Sequence, residues 1–405
     1  MQKVQGKFAD AIVYTDALDE KVTGQIMDLL AEDVSKGEKI RIMPDVHSGK
    51  GCVIGLTMTL SDKVIPNLVG VDIGCGISGI RLPLEAIDFE QLESIITKGV
   101  PAGFAIRHHV HKGVDEQAVQ MLDRLRFQHF DQKKALLSLG SLGGGNHFIE
   151  VGRDMGGHLW LFIHSGSRGI GNQVAQHYQK LAIAQQKERR KGAYDEIEAQ
   201  IQQLKAEGRH EEIKAFLKAG REAAPVLNPD LAYLEGSLKD DYLHDAGLMQ
   251  RYALLNRQTM IQVIVEGLGL DFDPSDIISV HHNYIDLEAG MVRKGAISAQ
   301  AGEAVFIPMN MRDGMIVGRG KGNPDWNFSA PHGAGRTMSR IQAKKTVSME
   351  AFQESMSHIW TRSVVPSTLD EAPMAYKPME EILGHIGDTV EVLEVVKPLY
   401  NFKAR

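Results

Sequence analysis

The hydrophobic positions of this chain change period several times, and each change marks an element. Over residues 19–33, Val22, Ile26, Leu29 and Leu30 recur at helical spacing, which predicts an amphipathic helix whose task is packing. From 40 to 82 the pattern gives way to short β-branched runs, 52–60, 63–71 and 77–82, broken by Gly and Pro; these predict strands joined by tight turns. Two glycine-rich stretches follow, 140–150 and 159–171, and in the second the apolar run 159–163 predicts a strand that delivers His164 at its end. Residues 174–219 are rich in Gln, Lys, Glu, Arg and Ala with helical apolar spacing, the composition of one or two long solvated helices. Past Ser279 the strand-and-turn texture returns, up to a helical stretch after His332. The expected fold class is therefore α+β, with mixed sheets around a central metal cleft. Because the chemically suggestive segments run from Asp45 to Lys403, one catalytic domain over 1–405 with a helical insertion at about 174–219 is more economical than separate modules.

Composition narrows the classes. A formal charge of −7 over 405 residues argues against a protein that holds nucleic acid by overall basicity, so RNA would have to meet a local positive groove. With two cysteines, no charged-then-apolar leader and no long apolar run, the chain reads as a soluble protein of a reducing compartment, the cytoplasm, with no membrane association.

The candidate chemistry centres on Cys75, in Val-Gly-Val-Asp-Ile-Gly-Cys-Gly with Asp72 three residues before it. Four histidines sit among small or polar residues: His147 in Gly-Gly-Asn-His-Phe, His164 in His-Ser-Gly-Ser-Arg, His282 in His-His-Asn-Tyr and His332 in His-Gly-Ala-Gly-Arg. A thiolate, imidazoles and one carboxylate suit manganese, zinc, iron or cobalt, and a thiolate can bridge two such ions. Cys52, inside a β-branched run, reads instead as a small buried hydrophobe. Glycine-rich turns present backbone N–H groups to anions. Residues 333–335 are expected to open a helix on which Arg336, Arg340 and Lys344 share a face, a seat for phosphates that Arg168 and Lys50 extend. Gly74, Gly76 and Gly79 match a dinucleotide-binding spacing, but a strand follows them rather than a helix, so a Rossmann site is not expected. There is no Walker-type loop and no Lys-x-Asp-Gly nucleophile, which leaves a histidine nucleophile open.

Eight segments carry a resemblance: Met43-Pro-Asp-Val-His-Ser-Gly-Lys50, Gly70-Val-Asp-Ile-Gly-Cys-Gly76, Gly145-Asn-His-Phe-Ile-Glu150, His164-Ser-Gly-Ser-Arg-Gly169, His282-Asn-Tyr284, Arg293-Lys-Gly-Ala-Ile-Ser298, His332-Gly-Ala-Gly-Arg336 and Met374-Ala-Tyr-Lys377. In that order they resemble the RtcB family of GTP- and manganese-dependent RNA ligases. The resemblance implies an enzyme that joins RNA ending in a 2′,3′-cyclic phosphate or 3′-phosphate to RNA beginning with a 5′-hydroxyl, in RNA repair or tRNA splicing. It implies that Asp72, Cys75, His147, His164 and His282 bind two Mn²⁺ ions, with Cys75 bridging, and that His332 takes GMP from GTP. Asn146, His147, Phe148, Ile149 and Glu150 would surround the nucleotide, together with His282, Asn283 and His332. The same role would fall to Pro308, Met309, Asn310 and Met311, to Gly333, Ala334 and Gly335, and to Tyr376 and Lys403. An archease-like activator is a further implied partner.

The chain departs from the family pattern in places. Pro308-Met-Asn-Met311 stands where many members have Pro-Gly-Ser-Met, and Lys403-Ala-Arg405 replaces Lys-Gly. The first departure keeps open a metal-dependent phosphodiesterase or nucleotidyltransferase with another substrate; a third reading, a non-catalytic binder of RNA ends or nucleotides, is disfavoured by the intact His332 and metal set.

Overall fold

The computed structural model describes residues 1–112, 115–223 and 228–404. Two sheets organise them. The first has six strands in the order Gln2–Gln5, Asp10–Val13, Ile40–His47, Ile54–Thr59, Met291–Lys294, Asn283–Asp286. The second has seven, in the order Ile278–His281, Gly76–Leu82, Leu159–Ser165, Phe148–Arg153, Val390–Phe402, Met315–Gly320, Ala304–Pro308. Neighbours pair antiparallel except Asp10–Val13 and Ile40–His47, which run parallel, so the α+β expectation holds.

The strand Leu159–Ser165 is buried along its whole length because both its faces are covered. Leu159, Leu161 and Ile163 join a cluster with Ile149, Val151, Ile80 and the helix residues Met260, Ile261 and Ile264. Trp160 and Phe162 face the other way, onto Ile77, Phe148 and Phe306. Full burial of each such side chain contributes roughly 1.5–3 kcal/mol, enough to fix the register. By the period of two, His164 then falls on the Trp160 and Phe162 face, at the strand's end.

The helix Glu20–Leu30 buries Val22, Ile26, Leu29 and Leu30 as its pattern requires, and the Asp19 carboxylate caps it by accepting from Val22 N. The charged helical region differs from expectation at its start. The helix Arg168–Ala206 begins six residues before Val174, directly out of the His164 turn, and Ile170, Val174, Ala175, Tyr178 and Ala182 are core residues. Only its later part and the beginning of the following helix His210–Ala223, residues 210–217, are largely solvated. A second difference lies after His332. Residues 333–335 open no helix; the helix is Arg340–Thr346, with the Ser339 hydroxyl accepting from Gln342 N, and Arg336 lies before it, bridged to Tyr376. A positive φ of 74° at Gly335 breaks the spiral, and a β-carbon there would lie 2.4 Å from Asp45 O. Gly76, one of the three glycines of the dinucleotide spacing, indeed begins a strand, Gly76–Leu82. Cys52 is fully buried among apolar residues. Among the described residues no helix is long and apolar enough to cross a membrane.

Candidate metal and nucleophile site

His282 lies between the strands Ile278–His281 and Asn283–Asp286, which belong to different sheets, so it stands at the seam between them. Two backbone bonds stitch this crossover to the Cys75 loop: His282 N to Cys75 O at 2.9 Å and Gly74 N to Asn283 O at 2.7 Å. The end of Leu159–Ser165 brings His164 to the same seam, and the glycine loop before Phe148 brings His147.

Cys75 is the hub. Its Sγ lies 3.3 Å from His164 Nε2 and 3.5 Å from His147 Nε2. His164 Nε2 lies 3.3 Å from His282 Nε2, and Asp72 Oδ2 lies 2.9 Å from His147 Nε2. The donors thus form two triads, Cys75 with His164 and His282, and Cys75 with Asp72 and His147, each within 4.8 Å and sharing the sulfur. The far nitrogens are engaged: His147 Nδ1 with Leu142 O at 2.9 Å and His164 Nδ1 with Asn146 O at 3.2 Å. A carbonyl can only accept, so both rings carry Nδ1–H and turn their Nε2 lone pairs toward Cys75, the outer-shell pattern of metal-ligating histidines. Burial pushes the His164 and His282 pKa well below the usual imidazole range, which keeps them neutral. Burial, then the Asp72 charge, pushes the Cys75 thiol well up, so its ionisation calls for a cation. The donor set and its orientation fit one or two transition-metal ions.

A buried cation supports the loop from beneath. Arg257, fully buried, donates to Gly74 O and Ser165 O, both at 2.9 Å, to Ser78 Oγ, and lies 3.1 Å from His281 Nε2. Burial lowers its pKa to about 10, still charged at neutral pH. Arg168 adopts a positive φ of 58° and sets its Nη1 3.5 Å from His147 Nδ1. Such a conformation costs about 1–3 kcal/mol outside glycine and is concentrated at functional sites.

His332 adjoins the cluster, its ring centroid 5.0 Å from that of His282. Its Nδ1 donates to Asp45 Oδ2 at 2.7 Å, and the same oxygen accepts from His332 N at 3.1 Å and Gly333 N at 3.2 Å. That carboxylate, buried in the strand Ile40–His47, leaves the Nε2 lone pair of His332 free.

A second polar cluster stands beside it. Glu371 is buried against Lys403 at 3.0 Å, Arg340 at 3.1 Å and the Tyr376 hydroxyl, which donates at 2.7 Å. Burial opposes its charge, but Lys403, Arg340 and Arg336 outweigh burial and hold its carboxyl at about 2. Lys403 Nζ also donates to Asn146 O at 3.2 Å and lies over the Phe148 ring. Glu150, paired with Asn401, is pushed up to about 8 by burial.

The structure therefore gathers Asp72, Cys75, His147, His164, His282 and His332, with Asn146, Phe148, Asn283, Tyr376 and Lys403 around them. It does not bring in every side chain expected. Ile149 turns into the core, and Met309 and Met311 are buried in separate apolar clusters. Asn310 closes a turn by accepting from the backbone N of Arg312 and Asp313. What remains near the site is the Pro308 carbonyl, 3.2 Å from where a Gly333 β-carbon would sit. Lys50 is exposed on its loop, and Arg336, Arg340 and Lys344 are paired with Asp370 and Glu371. Sequence reasoning assigned no role to Asp45, Arg257 or Glu371. For Asp45 the signal was its place in Met43-Pro-Asp-Val-His-Ser-Gly-Lys50.

The family model for the tRNA-splicing ligase RtcB matches residues 32–404. RNA-splicing ligase RtcB1 and, from strain K12, RNA-splicing ligase RtcB, both of Escherichia coli, are each 33% identical over 393 residues, covering 88% of this chain and 88% of their own lengths. The tRNA-splicing ligase RtcB of Aeropyrum pernix is 25% identical over 457 residues, covering 92% of this chain and 90% of its own length. Matched across nearly its whole length, the chain belongs to the RtcB family.

Proposed function

We propose that the protein is an RNA ligase of tRNA splicing or RNA repair that seals a 3′-phosphate or 2′,3′-cyclic phosphate end to a 5′-hydroxyl end through GMP carried on His332. The observation that carries the reading is the Asp45–His332 pair beside a thiol shared by two ligand triads. Asp45 keeps the His332 proton on Nδ1, so Nε2 is the nucleophile. Water first opens a cyclic end to a 3′-phosphate; a P–N bond forms at Nε2 as pyrophosphate leaves GTP, that bond breaks as GMP passes to the RNA 3′-phosphate, and the 5′-hydroxyl then attacks the RNA phosphate, joining the ends and releasing GMP. Asp72, Cys75, His147, His164 and His282 would hold two manganese ions, which supply charge neutralisation and Lewis acidity at the phosphates. Arg168 holds the His147 loop, while Lys403, Tyr376 and Phe148 border the nucleotide space. Met309 and Met311 point into apolar clusters, which supports GTP as the nucleotide despite that departure from the family pattern.

The test is incubation with radiolabelled GTP and Mn²⁺ followed by denaturing electrophoresis. An acid-labile labelled band, absent from His332→Ala, is the expected result. A metal-loaded protein that takes no label would overturn the reading and favour the phosphodiesterase.

A further inference from the structure

Phe104 has a relative exposure of 107%, whereas the other twelve of the thirteen phenylalanines are buried or part-buried. An aromatic ring left wholly in water forgoes the largest stabilisation its type offers, and this one is held there rigidly. Its turn is bound to the metal-site loop by two backbone bonds, Leu142 N to Pro101 O at 2.8 Å and Gly103 N to Gly143 O at 2.9 Å, and is closed on itself by Ala105 N to Ala102 O at 3.2 Å. The two bonds to the loop flank the peptide whose Leu142 O engages His147 Nδ1. On the other flank, a β-carbon at Gly103 would lie 4.0 Å from Ala404 Cβ, next to Lys403.

The surroundings are cationic. Gly143, with φ of 83°, leaves room for the Arg168 guanidinium, which a β-carbon there would meet at 2.2 Å, and the Arg340 guanidinium lies 3.6 Å from the corresponding position at Gly145. The segment 101–112 contains Arg107, Lys112 and three histidines and no Asp or Glu, in a chain of net charge −7. Arg107 fixes the segment by donating to Leu139 O and Gly99 O, which leaves His108, His109 and Lys112 exposed. From Gly143 to His147 the chain spans at most about 14 Å, within reach of the nucleotides next to a phosphate at the metal site.

An exposed aromatic face beside guanidinium groups is how unpaired nucleic acid is bound without reading its sequence. We propose that Phe104 is the stacking platform for the unpaired base at the 3′-phosphate end of the RNA, with 101–112 as its subsite. This rests on the ligase reading. Phe104 is a positioning residue: it holds the base so that the adjacent phosphate lies at the metal cluster.

The experiment compares Phe104→Ala and Phe104→Trp in the full chain. A short fluorescent single-stranded RNA with a 3′-phosphate reports binding by anisotropy, ligation reports KM and kcat, and GMP self-labelling reports the RNA-free step. Phe104→Ala should weaken RNA binding and raise KM about 5- to 150-fold, the range of one base–aromatic stack, with self-labelling retained. Phe104→Trp should restore affinity. An RNA abasic at its 3′-terminal nucleotide should bind the wild type as weakly as intact RNA binds Phe104→Ala, and lose nothing more with the variant. Unchanged RNA affinity and KM in Phe104→Ala, as a platform for a protein partner would give, overturns the proposal. So does loss of self-labelling together with RNA affinity, which would mean the turn acts through His147. Absence of self-labelling in the wild type sinks the ligase reading itself and is thereby distinguished from both.

Discussion

Asp45→Asn isolates the one interaction on which the proposed nucleophile, His332, depends. The Asp45 Oδ2 accepts from His332 Nδ1 at 2.7 Å and from two backbone N–H groups, so a carboxylate there can only accept, and the imidazole must place its proton on Nδ1. Asparagine preserves shape and burial. Its carbonyl in the place of Oδ2 keeps all three donors, but as a neutral, weaker acceptor that no longer holds the proton firmly on Nδ1; its NH₂ in that place deprives the two backbone donors and drives the ring proton to Nε2, where the lone pair was needed. In another Asp–His pair the same change lowers turnover about 10⁴-fold, equivalent to about 5.5 kcal/mol at 1.36 kcal/mol per decade. We expect the rate of GMP self-labelling in Asp45→Asn to fall by about 10³- to 10⁴-fold. Metal content measured on the same sample should be unchanged, because no cluster donor is touched. Rapid-quench labelling at saturating GTP is the assay. A rate within about threefold of wild type, roughly half a decade at 1.36 kcal/mol per decade, at full metal content would refute the tautomer argument. Loss of rate together with metal would move Asp45 into the metal site instead.

Three further outcomes follow from the same geometry. Cys75→Ser replaces the shared sulfur by a far poorer ligand, so manganese content by elemental analysis should drop for both ions and labelling should vanish; one ion retained with full occupancy would exclude sharing. Glu150, buried and with a pKa pushed up to about 8, is protonated in the folded state across a range where the unfolded chain has already ionised, from about 4.5 upward. Its folded state binds the extra proton, so stability is fully present below the unfolded pKa and declines as pH rises toward 8, by up to about 5 kcal/mol. Glu150→Gln should flatten that decline in urea melts between pH 5 and 8, and an unaltered slope would contradict it. Arg257→Met removes a buried charge but takes the donor from two carbonyls, while the Ser78 hydroxyl keeps Ser279; a loss of about 2–6 kcal/mol in unfolding free energy from urea melts is expected, with metal affinity falling as the Cys75 loop relaxes. A variant as stable as wild type would show that the loop holds its shape unaided.

What could be read from the chain was whatever period or local company reveals. The Glu20–Leu30 helix and the strand that ends at His164 were legible because one face, or one run, is apolar. The histidines stood out because small and polar residues flank them. The helix Ser237–Gly267 went unmarked because it is buried on several sides, from Tyr242 and Ala246 through Arg257 to Val265, and so shows no single stripe. Arg257 was hidden with it. The four-residue spacing of Arg336, Arg340 and Lys344 mimicked a helix face, while the true start was written in Ser339 and Gln342, a capping pair one turn later. Asp45 and Glu371 were illegible for a different reason. Asp45 meets His332 across 287 residues, and Glu371 meets Arg336 across 35, contacts that topology makes and spacing does not encode.

That topology also explains why the donors come from so many segments. His282 stands where the chain leaves the seven-stranded sheet for the six-stranded one, Cys75 precedes a strand of the former, and Asp45 lies in a strand of the latter. The seam therefore concentrates three imidazole lone pairs, a half-buried carboxylate and a thiol whose pKa burial pushes well up. Without a cation these groups repel or remain undersolvated, each buried polar group left unpaired costing about 1–3 kcal/mol. A bound cation would let the thiol ionise and give the lone pairs a partner, so that metal affinity and closure of the seam would be two sides of one equilibrium. The proposed nucleophile is placed by the same joint: His332 is tied to the six-stranded sheet through Asp45, while the cluster is anchored to the seven-stranded sheet through Cys75 and His164. The separation between His332 Nε2 and the donor cluster is thus set by how the two sheets meet, and under the proposed function residues such as Arg257 would act on the reaction through that joint.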